Sequence, residues 1–404
     1  MSTRARTTVL GLSLLVLLYV GLGGLLGRTV NEGAYQQLAV LSEVLTRIQS
    51  DYVEDPNLTQ VTVGAMRGLL EALDPYSSYL SPREYDEYQK KTQKPLKGEV
   101  GVVLSKRYGL LNVVSVLPES PAARADLRTG DIVESVDGFS TRDMSVDQAY
   151  LLLAGEPGTT VRLSVVRQAR AEPQAVELVR ARLRTMRVVS GRLEDDIGYV
   201  KIAAFSEGKA AEVAAALKQL EGQGVRKLVI DLRDCASGAA EEAVAVSRLL
   251  LERGIITYLQ GQQYPKQQFS AEPREAVWKG PVTVLINQGT AGPAEIVAAA
   301  VLENNRGQVV GQRSYGVGSV RKLIPLEDGS ALILSMAKYY SPGGKAIQDN
   351  AVTPSVPVEL TEEGAQTSSI HAMPPPGDPV LLKALEVLRA QPVAALARPP
   401  RRAA

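Results

Sequence analysis

The spacing of hydrophobic positions changes along the chain, and each spacing predicts a different kind of structure. Residues 34–50 and 61–73 carry apolar side chains at helical intervals, and Asp74-Pro75 ends the second predicted helix. Residues 98–183 hold short apolar strands separated by turn signals, with one predicted helix at 146–153. This second region has the pattern of a small α/β module.

From about residue 198, apolar strands alternate with amphipathic helices. The predicted strands are 199–205, 228–232, 282–286, 308–310 and 331–337, and the predicted helices are 208–221, 240–253 and 294–304. Such alternation is typical of a layered α/β domain in which many strands pair in parallel. We therefore expect the chain to belong to the α/β fold class.

Changes in composition and pattern divide the chain into predicted segments. These are an N-terminal membrane anchor or signal (1–33), a helical segment (34–95), a small domain of short strands (96–184), a layered α/β domain (185–360), a linker rich in Pro, Ser and Thr (361–378), a C-terminal helix (379–391) and a disordered tail (392–404). Asp378, just before Pro379, is the predicted N-cap of the C-terminal helix. Between Lys90 and Lys97 the chain is polar and rich in lysine, which predicts a link into the small domain.

The N-terminus has the pattern of a membrane-spanning segment. Arg4 and Arg6 precede an uncharged stretch from Thr7 to Gly27. At about 1.5 Å per residue, these roughly 21 residues span about 30 Å, the hydrocarbon thickness of a bilayer. Because the arginines come first, we expect an uncleaved anchor in the inner (cytoplasmic) membrane, with the bulk of the chain extracytoplasmic, on the periplasmic or cell-surface side. A cleaved signal peptide is the alternative.

Composition excludes several classes of function. Lys and Arg number 45 against 44 Asp and Glu, so no bulk positive charge attracts nucleic acid, and we expect no nucleic-acid partner. Cys235 and His371 are the only residues of their types, which excludes an internal disulfide and a zinc site built from His and Cys. His371 stands in a proline-rich stretch, which is a poor setting for a catalytic triad. We expect no metal and no cofactor, and Cys235 is interpreted as a buried small apolar residue.

Several motifs resemble those of the C-terminal processing (tail-specific) peptidases. In chain order they are LDPYSSYLSPREYDEY (73–88), SPAARADLRTGDIVESVDG (120–138), KLVIDLRD (227–234), VLINQGTAGPAEIVAAAV (284–301), VVGQRSYGVGSVRKLIPLEDGSAL (309–332) and KYYSPGGKAIQ (338–348). The resemblance implies a layered protease-like α/β domain with an inserted PDZ domain and an N-terminal helical segment. It also implies a serine peptidase mechanism, in which a lysine kept neutral by desolvation takes the proton of the serine nucleophile.

The two positions of that Ser–Lys dyad carry other residues in this chain. The family's N-x-G-S-A-S-A-S-E segment corresponds to NQGTAGPAE (287–295), so Gly292 stands at the nucleophile position. The family's F-G-K-G-[ST]-V-Q corresponds to residues 315–321. Val317 therefore stands at the position of the lysine base, and Arg321 at the position of the Gln that assists the lysine.

The groups that stabilise an oxyanion are replaced as well. Pro293 follows the nucleophile position and has no N–H to donate. The family's second glycine-rich loop, N-x-P-G-G, has become residues 234–238, DCASG. We therefore expect a serine-type peptidase fold without peptidase activity. The alternative is an active serine endopeptidase, cleaving near protein C-termini, whose nucleophile has moved to Thr290, Ser314 or Ser319.

The PDZ resemblance implies a peptide-binding groove. Residues 98–102, GEVGV, are similar to the loop that aims backbone N–H groups at a terminal carboxylate while the peptide adds a strand to the sheet edge. We expect the groove to be lined by Val100, Gly101, Val102, Leu151 and Leu152. The expected partners are protein C-termini or a partner protein, and the membrane through the N-terminal helix. A paralogous active protease and a second copy of this chain, forming a homodimer, are alternatives.

Overall fold

The structure is a computed structural model that describes part of the chain in detail. The described residues are 32–93, 98–107, 109–142, 144–167, 170–194, 196–359, 373–375 and 377–391. They divide into two units, the first ending at Gly68 and the second beginning at Leu69.

Helices and strands are numbered here in chain order within the described residues. The helices are α1 (Glu32–Asp51), α2 (Leu58–Glu71), α3 (Pro82–Gln93), α4 (Pro121–Arg124), α5 (Val146–Leu153), α6 (Lys209–Gly222), α7 (Ala240–Leu250), α8 (Pro293–Glu303), α9 (Ile347–Asn350) and α10 (Pro379–Ala390). The strands are β1 (Ser78–Leu80), β2 (Val102–Arg107), β3 (Leu110–Val116), β4 (Ile132–Val136), β5 (Phe139–Ser140), β6 (Thr160–Arg167), β7 (Arg170–Val179), β8 (Val189–Arg192), β9 (Ile197–Lys201), β10 (Lys227–Asp231), β11 (Ile255–Gln260), β12 (Gln267–Ser270), β13 (Val282–Ile286), β14 (Gln308–Gly311), β15 (Ser319–Pro325), β16 (Ala331–Tyr340) and β17 (Val356–Pro357).

The first unit contains α1 and most of α2, close to the two helices that the sequence predicts. Their apolar residues repeat at helical spacing, which gives each helix one hydrophobic face. Several of these residues remain exposed, among them Tyr35, Leu38 and Val44.

The prediction of a membrane-anchored, extracytoplasmic protein is contradicted. No helix in the described part of the chain combines the length and the apolar character that a membrane crossing requires. We therefore withdraw that localisation. The stretch from Thr7 to Gly27, on which it was based, lies outside the described residues, as do His371 and the predicted tail 392–404.

The small domain is built on one antiparallel sheet with strand order β2-β3-β4-β6-β7, and β5 pairs with β4. Its core combines alternate strand residues, such as Leu111 and Val113, with Ala149 and Leu153 of α5. Helix α5 begins where predicted because Ser145 and Gln148 form a capping box.

The largest sheet has the order β17-β14-β13-β10-β9-β8, and all its pairs are parallel except β8 with β9. Strands β10 and β13 are buried along their whole length, because helices cover both faces of the sheet. Helices α6, α7 and α8 pack on one face and α10 on the other. The predicted α/β fold class, with a layered domain, is thereby confirmed.

A third sheet is antiparallel, with the order β1-β16-β11-β12 and β15 beside β16. The apolar pattern of the sequence predicts β16 but not β1, β11 or β12. Strand β12 consists of Gln267–Ser270 and is mostly polar, so it lacks the apolar alternation on which such predictions depend.

Helix α3 also differs from the prediction. The lysine-rich segment after Lys90, interpreted as a link, begins inside this helix, which continues to Gln93. Pro82 occupies its first turn, and the Glu84 carboxylate accepts hydrogen bonds from the backbone N and the hydroxyl of Ser81. The helix start is therefore specified by local capping, although its mean hydropathy is low.

The C-terminal helix α10 is tied to the main sheet by a buried ionic network. Asp378 caps the helix by accepting from the backbone N of Val380 and Leu381, as the sequence predicts. Its other carboxylate oxygen accepts from Arg233 Nη1 at 2.6 Å. Arg233 is itself buried and paired with Asp231 at the end of β10.

Candidate functional site

Gly292 lies in the turn that leads from β13 into α8. Its backbone angles, φ 59° and ψ −119°, belong to a region that glycine adopts without strain and other residues avoid. A Cβ built at this position would meet only the carbonyl oxygen of Ala236, at 3.9 Å. The space that a nucleophile side chain requires is therefore open, and no side chain fills it.

Glu295 holds both dyad positions together. Its Oε2 accepts hydrogen bonds from the backbone N of Gly292 and of Val317, each at 2.9 Å. Its Oε1 accepts from the backbone N of Gly316 at 2.8 Å and from the hydroxyl of Ser314. The nucleophile and base positions of the family thus lie beside each other, as the resemblance implies, but neither carries a reactive group.

The Glu295 carboxyl is fully buried. Burial raises the pKa of Glu295 to about 7, although hydrogen bonds from Ser314 and from backbone N–H groups oppose this shift by favouring the charged form. The sequence indicated Glu295 only as a carboxylate suited to the positive end of the helix at 294–304, and not as the group that joins the two dyad positions. The signal that could have found it is its position three residues after Gly292, which is the spacing of a capping box.

Pro293 is the first residue of α8. A proline at this position is structurally comfortable, because the first N–H groups of a helix lack intrahelical partners in any case. The start of the helix is therefore preserved, whereas the N–H that would face an oxyanion is absent.

The loop after β10 lies against the dyad turn. Asp234 has a positive φ of 58°, and its carboxylate Oδ1 accepts from Asn287 Nδ2 at 3.0 Å. Its Oδ2 is buried and has no hydrogen-bond partner in the described part of the chain. At Gly238 a Cβ would lie 2.3 Å from the carbonyl oxygen of Phe205, so only glycine fits there. The loop keeps its tight backbone path although its sequence differs from the family motif.

The small domain borders this site directly. The hydroxyl of Ser115, on β3, donates to the carbonyl of Asp234, and that of Thr129 donates to the Asp234 carboxylate at 3.3 Å. The Arg107 guanidinium stacks over the ring of Tyr315, 4.4 Å from its centroid, and donates to the Tyr315 carbonyl. Three separate segments of the small domain therefore contact Asp234 and Tyr315, which belong to the loops beside the dyad positions.

Arg321 makes a further contact of this kind. Its Nη1 donates to Asp147 Oδ2 at 2.7 Å, on helix α5. Burial raises the pKa of Asp147, and the positive charge of Arg321 opposes that shift. Arg321, which stands at the position of the family's assisting Gln, thus forms an ion pair between the two domains.

Two of the three hydroxyls proposed as relocated nucleophiles are buried and engaged. Thr290 Oγ1 donates to the carbonyl of Leu232 at 2.8 Å. Ser314 donates to Glu295 and accepts from the backbone N of Val352 at 2.7 Å. Both hydroxyls join neighbouring segments, which is a structural role.

Ser319, the third candidate, has a different setting. It is half-buried at the start of β15, and its direct partner across the antiparallel pair is Lys338 of β16. Residues directly opposite each other in such a pair project side chains from the same face of the sheet. Ser319 is therefore the proposed relocated nucleophile whose cross-strand neighbour, Lys338, could act as a base.

Cys235 is fully buried in the main core, and burial raises the pKa of its thiol. A thiol in this state is a weak nucleophile, so its interpretation as a small apolar residue is confirmed. Among the described residues, no group of three or more His, Cys, Asp or Glu side chains is placed to hold a metal ion.

The predicted groove residues have mixed roles. Val100 and Val102 are buried in the core of the small domain, and Leu152 packs against that core. Gly101 has φ +80° and lies so close to Ser120 that a Cβ would clash. The side chains of these valines therefore serve packing, and the backbone groups of the loop are left to meet a ligand. Leu151 is half-buried on α5.

Comparison with known proteins connects this geometry to a family. The model of peptidase family S41 matches residues 196–358, and a PDZ-domain model matches residues 113–167. The carboxy-terminal-processing protease of Bartonella bacilliformis is 31% identical over 333 residues, covering 81% of this chain and 76% of the relative. The chain belongs to peptidase family S41. The carboxyl-terminal-processing protease of a Synechocystis species is also similar, at 32% identity over 321 residues, 77% of this chain and 74% of the relative.

A solved structure has the same fold. The photosystem II D1 C-terminal processing protease superimposes with a TM-score of 0.66 at 25% identity, covering 80% of this chain and 92% of that chain. The predicted family, the protease-like α/β domain and the PDZ domain are thus confirmed.

Proposed function

We propose that this S41 protein binds polypeptide C-termini, or a partner protein presenting one, and does not cleave them. The observation that carries the proposal is the cluster formed around Glu295. There Gly292 supplies no nucleophile, Val317 supplies no base and Pro293 supplies no oxyanion donor.

Each of these losses removes a separate requirement of acyl transfer. A side-chain oxygen must attack, a neutral amine must take its proton, and N–H groups must stabilise the oxyanion that forms. Loss of one oxyanion donor alone typically slows such a reaction by about 10²–10³-fold. Loss of all three groups leaves no route through this turn.

Binding of a C-terminus is supported by the PDZ domain and by the relatives. The loop 98–102 keeps the glycine that a carboxylate-binding loop requires, with a positive φ at Gly101. The relatives are named as carboxy-terminal-processing proteases. From these relatives we propose for this chain the recognition of a polypeptide C-terminus, and not its cleavage.

The first test is cleavage. The full chain, incubated with unstructured proteins such as reduced and alkylated casein, should give no new fragments by mass spectrometry. A fragment pattern that is lost in a Thr290→Ala or Ser314→Ala variant would refute the proposal.

One observation favours a second candidate, an active serine endopeptidase. Ser319 faces Lys338 across the β15–β16 pair. One fact weighs against it: Lys338 is only half-buried, whereas desolvation is what makes a lysine a base. Cleavage abolished equally by Ser319→Ala and Lys338→Met, but retained in Lys322→Met as a control, would establish this candidate instead.

The second test is recognition of the carboxylate. A degenerate library of decapeptides, randomised at the last four positions and ending in a free carboxylate, should bind the full chain. The same library with amidated ends should bind at least about tenfold more weakly, since hydrogen bonds to a charged group contribute about 1.5–3 kcal/mol. Equal retention of the two libraries would refute carboxylate capture.

A further inference from the structure

The edge strand of the PDZ groove has one backbone donor already in use. A peptide that adds to β2 must pair with the N–H groups that face the groove. Hydrogen-bonding groups on one edge of a strand recur every second residue, so Leu104 follows Val102 on that edge. The backbone N of Leu104 donates to the hydroxyl of Tyr150 at 2.8 Å. The first pairing position beyond the carboxylate loop is therefore occupied by a side chain of the protein itself.

Tyr150 lies on α5, the helix that forms the other wall of the groove. It is half-buried and packs against the core of the small domain. Its hydroxyl thus reaches across the groove from the helix to the strand. A peptide backbone that pairs with β2 between these two walls must therefore displace the Tyr150 hydroxyl from the Leu104 N–H.

The helix that carries Tyr150 is anchored on several sides. Lys91 Nζ donates to the carbonyl of Leu151 at 2.6 Å, and Arg180 Nη2 donates to that of Leu152 at 2.8 Å. Asp147, at the start of the helix, pairs with Arg321. Because the helix is held at both ends, the groove opens more readily by rotation of one side chain than by displacement of the helix.

We propose that Tyr150 closes the peptide groove from within, its hydroxyl holding the Leu104 amide until the backbone carbonyl of an incoming polypeptide C-terminus replaces it. This inference rests on the proposed binding of C-termini and adds its regulation. On binding, the Leu104 N–H would exchange its hydrogen bond to the Tyr150 hydroxyl for one to the peptide carbonyl. Tyr150 therefore lowers the affinity for every peptide by the stability of its own contact and leaves the carboxylate loop unchanged.

The test compares wild type with Tyr150→Phe in the full chain, using the free-carboxylate decapeptide library as the probe. Removing the hydroxyl frees the Leu104 N–H and keeps the ring. One such hydrogen bond contributes about 1 kcal/mol, so the variant should bind about fivefold more tightly. Tyr264→Phe, which removes a hydroxyl from an exposed tyrosine of the protease-like domain, is the matched control and should not change the affinity.

Amide hydrogen exchange gives a second readout that needs no peptide. The Leu104 amide should exchange about fivefold faster in Tyr150→Phe than in wild type, while the amides of buried Leu111 and Val113 keep their rates and report an intact fold. Addition of the library should slow Leu104 exchange again in the variant.

The outcomes separate the two proposals. Equal affinity of wild type and Tyr150→Phe, or unchanged Leu104 exchange, overturns the role of Tyr150 and leaves C-terminus binding intact. Absence of binding in both proteins, with faster Leu104 exchange in the variant, overturns C-terminus binding. The Tyr150–Leu104 hydrogen bond then exists but does not regulate the binding of a peptide.

Discussion

Arg321 and Asp147 form an ion pair of 2.7 Å that joins strand β15 of the protease-like domain to helix α5 of the PDZ domain. The guanidinium occupies the position where the family resemblance places a Gln that assists the catalytic lysine. An arginine at this position has no lysine to assist, since its neighbour in the motif is Val317. It instead attaches helix α5 of the PDZ domain to strand β15, close in sequence to Val317.

The strength of this attachment can be measured by a double-mutant cycle. The side chains of Arg321 and Asp147 are 33% and 16% exposed, so the pair is partly shielded from solvent. We expect a coupling energy of about 1 kcal/mol between Arg321→Ala and Asp147→Ala in urea unfolding, falling as salt is raised. The matched control is Arg162 with Glu177, an exposed pair of the same length within the PDZ domain, for which we expect a coupling below about 0.5 kcal/mol. Equal couplings for the two pairs would contradict this expectation.

Restoring the dyad alone should not restore peptidase activity. Gly292→Ser has room for its side chain but inherits a φ of 59°, and Gly292→Ser with Val317→Lys still lacks the N–H that Pro293 removes. Adding Pro293→Ala should raise cleavage of a fluorogenic peptide by about 10²–10³-fold over the double variant. Full activity in the double variant would mean that the proline is unimportant.

Glu295 should make stability depend on pH near neutrality. Burial raises the pKa of Glu295 to about 7 in the folded chain. At pH values between the pKa of the unfolded chain and 7, the carboxyl is therefore protonated in the folded state and mostly ionised in the unfolded state. Stability is therefore greatest below this window and falls as pH rises through it. Between pH 5 and pH 8 the loss should be about 2 kcal/mol, since one pKa unit corresponds to about 1.4 kcal/mol.

The control for this prediction is Glu295→Gln, which does not titrate. Its amide nitrogen must face backbone N–H groups that now donate to the carboxylate, so it should be less stable than wild type at every pH. The difference in free energy of unfolding between the two proteins should shrink from pH 5 to pH 8. A difference that grows over this range would give the opposite sign and contradict the prediction.

Asp378 should be essential for the docking of α10. It accepts from the buried guanidinium of Arg233 at 2.6 Å and caps the helix. Asp378→Ala should cost about 3 kcal/mol, because it removes one partner of a buried ion pair together with a cap. Glu386→Ala, on the exposed side of the same helix, should change stability by less than about 0.5 kcal/mol in the same chemical unfolding measurement.

The chemical groups present at the two dyad positions could be read from the sequence, because they depend on residue identity alone. Gly292 has no side chain and Pro293 has no N–H in any fold. The predicted start of α5 and the Asp378 cap were equally accessible, since a cap involves residues within three positions of one another. The parallel sheet was predictable because strands buried on both faces, such as β10 and β13, are continuously apolar.

Only the tertiary structure decided what surrounds those positions. Asp147 and Arg321 are 174 residues apart, and Tyr150 and Leu104 are 46 apart, so no local spacing relates them. Their meeting depends on which helix packs beside which strand. A buried carboxylate such as Glu295 likewise gains its pKa and its four donors only when segments distant in the chain close around it, because desolvation and hydrogen bonding are properties of the packed environment and not of the residue.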